Sequence, residues 1–183
     1  MGTRGLTKVV DRNGVTKVAQ YGQWDHYPAG QGVKALNILT AEYNSVKMLE
    51  LALDKCEFVS DNVREVIYAE FSKKYDGHLD ISDKFSAMLP SFSRETCANI
   101  LNVVIYSNDK VLLIDESEFE NDALMCEGVY TVNYQTNKFI SQFDGVTVEF
   151  ELNNLPDAVD YLKAFDKANA EALEKVHNEP IVA

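Results

Sequence analysis

Apolar and polar residues alternate with a period of two at both ends of the chain. Residues 6–10 and 15–21 alternate on either side of the turn sequence Arg12-Asn13-Gly14, a pattern typical of a β-hairpin. Three further alternating segments lie toward the C-terminus, at residues 128–134, 138–143 and 146–152. The pattern therefore predicts an N-terminal hairpin and a C-terminal three-stranded meander.

Apolar residues spaced three and four apart predict helices in the remaining chain. The predicted helices cover residues 33–39, 46–56, 61–76, 94–101 and 155–176. Ser60 is the predicted N-cap of the third helix, and Asp76-Gly77 its stop. Residues 22–32 are too rich in Gly and Pro for regular structure, and residues 78–92 are predicted to be irregular or partly helical. Residues 103–106 and 111–114 could equally form a hairpin.

These elements predict an α+β fold in a single domain spanning residues 1–183. A length of 183 residues is typical of one domain. Because helices do not alternate with strands in βαβ order, the expected sheet is antiparallel, with the hairpin and the meander covered on one face by about five helices. The hairpin is expected to pair with the meander, since an isolated two-stranded ribbon is only marginally stable.

Charge is unevenly distributed and limits the choice of partner. The net charge is −12, yet residues 1–34 carry five basic and two acidic side chains, so a Gly-rich basic head precedes an acidic body at residues 35–183. An acidic body argues against tight binding to free nucleic acid. It favours a basic partner, such as a nucleic-acid-binding protein, although charge can also serve solubility alone.

One segment concentrates the acidic charge. Residues 115–127 contain six acids and no base. We predict that five of them form a face that binds a basic partner: Asp115, Glu116, Glu118, Glu120 and Asp122. The alternative is a solvated acidic loop.

Other chemistry is sparse. Cys56, Cys97 and Cys126 are odd in number and far apart, which is typical of reduced core thiols. Neither metal-ligand spacing nor a cofactor motif is present, so no metal site and no cofactor are predicted. The chain lacks a long apolar run and an apolar signal core near its start, which predicts a cytoplasmic protein.

The head is the one place where candidate ligand-binding groups collect. It holds six of the nine glycines and the single tryptophan. Gly30-Gln31-Gly32 leads into a predicted helix whose N-terminus could attract a phosphate. The candidate binding residues are Arg4, Tyr21, Gln23, Trp24, Asp25, Tyr27 and Gln31. Asp25 and His26 are candidates for acid–base catalysis, and the alternative is that the loop aromatics pack on the edge of the core.

Several motifs carry a family resemblance. MGTRG at residues 1–5, VAQYGQWD at 18–25 and YPAGQG at 27–32 are joined by looser matches at 126–130 and 152–156. Together they resemble small proteins of phages and mobile elements, and look similar to type II anti-CRISPR proteins, which inhibit an RNA-guided nuclease. His26 departs from the small residue of the family pattern, so the resemblance implies no catalytic role for it.

Two functions are therefore expected. The first is a counter-defence protein that binds a basic CRISPR effector nuclease and interferes with its guide RNA or target nucleic acid. The second is a small hydrolase or RNA-processing enzyme with a phosphate-binding site formed by Arg4, Tyr21, Asp25 and His26. An ordinary globular protein with a structural N-terminal loop is the third possibility.

Overall fold

A computed structural model describes residues 2–76 and 80–178, with side chains as far as Glu174. Its strands are β1 Gly5–Val10, β2 Thr16–Gly22, β3 Cys56–Phe58, β4 Val111–Leu113, β5 Gly128–Asn133, β6 Lys138–Phe143 and β7 Val146–Glu151. Its α-helices are α1 Val33–Thr40, α2 Ser45–Ala52, α3 Asp61–Lys74, α4 Ile81–Met88, α5 Ile100–Tyr106 and α6 Ala158–Asn178. No described helix has the length and apolar character needed to cross a membrane.

The central sheet has five strands in the order β2-β1-β5-β6-β7. The predicted hairpin is confirmed in β1 and β2, and the predicted meander in β5, β6 and β7. The expected pairing of hairpin with meander is also confirmed, because β1 lies beside β5 with Gly5 opposite Gly128. The prediction of a purely antiparallel sheet is wrong, since β1 and β5 run parallel. Their connection contains β2 and all helices from α1 to α5, so no short βαβ unit reveals the parallel pair in the sequence.

The helices confirm the α+β class, and α1, α2, α5 and α6 cover one face of this sheet. The core beneath them includes the strand residues Val9, Val18, Val132 and Phe139, which are one row of neighbours across the sheet. We call this the core face, and the opposite side, with Leu6 and Ala19, the back face.

The middle of the chain differs in part from the predictions. Residues 103–106 belong to α5, so they form no hairpin with residues 111–114. Instead β4 pairs in parallel with β3. The predicted irregular or partly helical segment 78–92 is partly helical in its described part, residues 80–92, through α4 and a 3-10 turn at Pro90–Phe92. Residues 77–79, which include the Gly77 of the predicted helix stop, lie outside the described residues.

Helix α3 leaves its predicted apolar face largely exposed. It has no fully buried residue, and Val66 is 58% exposed. Its aromatic side chains contact α4 instead, with the Phe71 and Phe85 ring centroids 5.3 Å apart. The regular spacing of apolar residues therefore identified the helix but not its packing partner.

Candidate functional site

The Gly-rich loop is built around a buried histidine. His26 has no exposed surface, and the glycines of three neighbouring strands surround it. A Cβ atom at Gly5 would lie 2.5 Å from His26 Cδ2, and one at Gly22 only 2.0 Å from Cε1. A Cβ atom at Gly128 would lie 2.0 Å from the His26 carbonyl oxygen. Close packing thus requires these three glycines, whereas the sequence suggested a ligand as the cause of the glycine enrichment.

Burial also determines the charge of His26. Its Nδ1 lies 3.1 Å from the Trp24 carbonyl oxygen and acts as the donor to it, while Nε2 has no hydrogen-bond partner in the described structure. Desolvation, offset in part by the Trp24 carbonyl and Asp25, lowers the pKa of His26 to about 4. The imidazole is therefore neutral near pH 7. The Tyr130 hydroxyl donates to the His26 carbonyl oxygen at 2.8 Å, which ties the loop to β5.

Cys97 lies next to this histidine. A Cβ atom at Gly22 would be 2.7 Å from His26 Nε2 and 2.8 Å from Cys97 Sγ. Cys97 is buried and has a positive φ of 48°. Desolvation raises the pKa of the Cys97 thiol. Thiol and imidazole are both neutral, so they do not form the thiolate–imidazolium pair of an activated nucleophile.

The start of the first helix differs from the expected anion site. Pro28–Gly32 form a π-helical turn that continues into α1, so part of the predicted irregular loop is helical. The Gly30 N–H donates to the Tyr27 carbonyl oxygen at 2.9 Å, and the Gln31 N–H to that of Asp25 at 2.8 Å. Two N–H groups that a phosphate would need are thus already bonded. Asp25 has a positive φ of 60° and an exposed side chain.

Gln31 has a structural role inside the loop. It is buried, and its amide nitrogen donates to the Trp24 carbonyl oxygen at 3.3 Å. Its amide oxygen accepts the Ala98 N–H at 3.2 Å. Gln31 therefore bridges the loop to the segment before α5, and both ends of its amide bond other parts of the protein.

The remaining predicted binding residues lie in different surroundings. Tyr21 projects to the back face, where its hydroxyl donates to Gln23 at 2.8 Å. Arg4 is half-buried, and its main-chain N–H donates to the Glu127 carboxylate at 2.9 Å. Trp24 is 45% exposed, with its ring against Gly2. The contacts bring Tyr21 together with Gln23, and Gln31 with the Trp24 main chain.

Tyr27 lines a separate apolar groove that the sequence did not indicate. The groove has a volume of about 270 Å³ and lies between the loop, the β6–β7 turn and α6. Its apolar walls come from Tyr27, Phe143, Val146, Leu162 and Phe165. Only the fold brings these residues together, because they belong to three separate segments.

The acidic segment at residues 115–127 crosses the back face of β1 and β2. Phe119 anchors it, with its ring edge-to-face on Tyr21 at a centroid distance of 4.8 Å. Lys8 on β1 forms a 2.7 Å ion pair with Glu120. Glu116 is half-buried, and its carboxylate accepts the Tyr21 N–H at 2.6 Å. Glu116 and Glu120 therefore fix the segment to the sheet, and Glu116 is not presented to a partner as an exposed charge.

The outer part of the segment is exposed and combines charge with apolar side chains. Asp115, Glu118 and Asp122 are exposed. Leu124 is 91% exposed and the adjacent Met125 39%. The Asp122 carboxylate accepts the N–H groups of both at 3.1 Å, which holds the two apolar side chains in a defined turn.

Behind this turn lies an acidic cavity of about 530 Å³. Glu120, Glu127 and Asp144 contribute its carboxylates, and Val129 and Val146 part of its apolar wall. We define the acidic patch as the exposed residues Asp115, Glu118, Asp122, Leu124 and Met125. An exposed Leu-Met pair within the acidic run is the signal that sequence analysis missed.

No three His, Cys, Asp or Glu side chains among the described residues are arranged to hold a metal ion. Comparison of the chain with protein-family models, with curated proteins and with solved structures finds no match.

Proposed function

We propose that this protein is an inhibitor that binds a basic, RNA-guided CRISPR effector nuclease of type II through the acidic patch, and so interferes with its guide RNA or target nucleic acid. The observation that carries the proposal is the exposure of Leu124 and Met125 between exposed carboxylates. Exposed large apolar side chains within a charged rim are typical of protein-binding surfaces.

The charge of the patch supports a basic partner. Asp115, Glu118 and Asp122 have no ion-pair partner among the described side chains, whereas Glu120 is neutralised by Lys8. Exposed charges attract an opposite surface across about 8–10 Å of salt solution and accelerate association. A nuclease that holds guide RNA must present cationic grooves, which are the surfaces that such a patch complements.

The contacts that attach the acidic patch to the sheet support tight binding of a partner. Phe119, Glu116 and Glu120 attach the segment to β1 and β2, so little conformational entropy is lost when a partner binds. The enzyme alternative has no comparable support, because His26 and Gln31 are buried and two N–H groups at the helix start are bonded.

Binding of the purified protein to a type II effector, with and without guide RNA, tests the proposal. The triple variant Asp115→Asn, Glu118→Gln and Asp122→Asn keeps hydrogen-bonding capacity and removes three charges. We expect it to weaken binding at least about tenfold while the melting temperature stays unchanged. The matched control removes three exposed charges from α3 and α4, through Glu65→Gln, Glu70→Gln and Asp83→Asn.

The control triple should bind like the native protein. Equal loss of binding in both triples would show that net charge alone drives association, and would contradict recognition by the patch. If the protein binds neither the guide-loaded nor the guide-free effector, a type II effector is not its partner.

A further inference from the structure

The two outer edges of the central sheet differ in the hydrogen bonding of their outward-pointing main-chain groups. At the β2 edge, main-chain groups that point away from β1 are bonded to other parts of the chain. The Tyr21 N–H donates to Glu116, and the Ala19 carbonyl oxygen accepts the Glu116 N–H at 3.3 Å. The Gln23 N–H donates to the Arg94 carbonyl oxygen at 3.2 Å. The β2 edge is therefore closed to another strand.

The β7 edge remains open in the described structure. Leu152 just beyond β7 donates its N–H to the Asn137 carbonyl oxygen at 3.0 Å, which fixes the alternation of the antiparallel ladder. The residues bonded to β6 are consequently Val146, Val148 and Phe150. The main-chain groups of Thr147 and Glu149 point away from β6. Within residues 2–76 and 80–178, no main-chain or side-chain partner bonds these groups.

The side chains beside this edge determine what can pair with it. Thr147, Glu149 and Glu151 follow one another along the back face of β7. A second copy is unfavourable at this edge, because each copy carries a net charge of −12. Lys138 on β6 already forms an ion pair with Glu149, whereas the exposed Glu151 has no ion-pair partner among the described side chains. A strand with Lys or Arg on the same face would meet the Glu151 carboxylate. Charge thus selects a basic strand over a second copy.

We propose that β7 is a docking edge for an extended basic segment of a partner protein, which adds to the sheet as an antiparallel sixth strand. Main-chain groups of Thr147 and Glu149 bond the incoming strand, and the unpaired Glu151 selects a basic side chain. The inference rests on the proposed function only for the basic character of the partner. The edge is distinct from the acidic patch, so the two surfaces can be tested separately.

Amide hydrogen exchange of the full-length protein, measured by NMR, tests strand addition directly. The probe is an octapeptide of alternating lysine and valine, and the control peptide alternates glutamate and valine. The basic peptide should slow exchange of the Thr147 and Glu149 amides about tenfold or more and leave the Val148 amide, already bonded to β6, unchanged. Unchanged exchange at Thr147 and Glu149, or equal protection by the acidic peptide, would overturn the proposal. Protection that grows with protein concentration in the absence of peptide would identify a second copy as the occupant and overturn it too.

The substitution Glu149→Pro tests the β7 edge without changing the other surfaces of the molecule. Glu149→Pro removes a donor that points outward and no main-chain bond to β6. It also removes the partly exposed Glu149–Lys138 ion pair, which contributes little to stability, so the variant should fold and should lose protection by the basic peptide. Glu151→Gln keeps every main-chain donor and removes the unpaired carboxylate, so it should retain strand addition and weaken it. If Glu149→Pro fails to fold, Thr147→Pro provides the same test. A folded proline variant that still adds the basic peptide would refute the docking edge. If both proline variants bind the effector normally while the acidic-patch triple does not, the docking edge plays no part in effector binding and the proposed function stands.

Discussion

The main-chain N–H of Tyr21 donates to the carboxylate of Glu116 at a distance of 2.6 Å. This single bond joins the outer edge of β2 to the acidic segment that crosses the back face. The Glu116 N–H returns a bond to the carbonyl oxygen of Ala19, so the two segments hold each other at two points. An acid expected to face a partner thus closes a sheet edge.

The fold should tolerate loss of the Glu116 charge but not loss of the side-chain oxygen that accepts the Tyr21 N–H. Burial is the largest influence on its pKa and raises it, so ionisation is already disfavoured in the folded state. Glu116→Gln keeps an acceptor for the Tyr21 N–H and should leave the free energy of unfolding nearly unchanged. Glu116→Ala leaves that N–H without its partner and should cost about 1–3 kcal/mol. Urea denaturation of the two variants measures the difference, and equal stabilities would show that the bond is unimportant.

The sequence predicted the strands well because local patterns define them. Alternation of apolar and polar residues identified β5, β6 and β7 almost to the residue. The parallel pairing of β1 with β5 was not predictable in this way, since it joins segments more than a hundred residues apart. Helix α3 shows the same limit, because the spacing of its apolar residues predicts a helix but does not indicate which element packs against it.

The candidate site was harder to predict for a physical reason. A glycine that admits a ligand and a glycine that admits a buried His26 look the same in the sequence. Only the fold shows that Gly5, Gly22 and Gly128 converge on one side chain. Exposure of Leu124 likewise depends on the turn held by Asp122, which composition does not reveal.

The close packing around His26 predicts large costs for small substitutions. Gly5→Ala places a methyl group 2.0 Å from the Gly128 carbonyl oxygen, and should destabilise the fold by roughly 2–4 kcal/mol. Gly145→Ala is the matched control, because it has a positive φ of 76° and nothing within 4 Å of a Cβ atom. Its cost should be only about 1 kcal/mol. Similar melting temperatures for both variants would contradict the packing argument.

Buried His26 should make the protein sensitive to acid. Its pKa is about 4 in the folded state against 6.5 for an unperturbed histidine, so between these values the unfolded chain binds a proton that the folded chain does not. The stabilisation that depends on a neutral His26 is fully present above pH 6.5. The free energy of unfolding then falls as the pH drops toward 4, by roughly 3 kcal/mol in total. Denaturant midpoints at pH 7.5 and at pH about 5 measure the change in a window where most carboxylates remain ionised.

A His26→Gln variant provides the control for this pH dependence. Glutamine does not titrate, so the variant should be less stable than the native protein at pH 7.5 and lose less further stability on acidification. NMR titration of the native protein should find the His26 ring still neutral at pH 5.5. Parallel stability profiles for the two proteins would show that another group is responsible.

Leu124 should contribute to partner binding without contributing to stability. Its side chain is 91% exposed, so Leu124→Ser removes almost no buried surface and should leave the melting temperature unchanged. If the acidic patch engages the effector, the same change should weaken binding about tenfold, because an apolar side chain enclosed by a charged rim is desolvated on association.

Tyr43→Ser is the control, since Tyr43 is also fully exposed but lies near α2, at the other end of the sheet. Calorimetry at low and high salt separates the contributions: the loss caused by Leu124→Ser should persist at high salt, whereas that of the acidic triple should shrink. A Leu124 variant that binds as tightly as the Tyr43 control would exclude the turn at Asp122 from the interface.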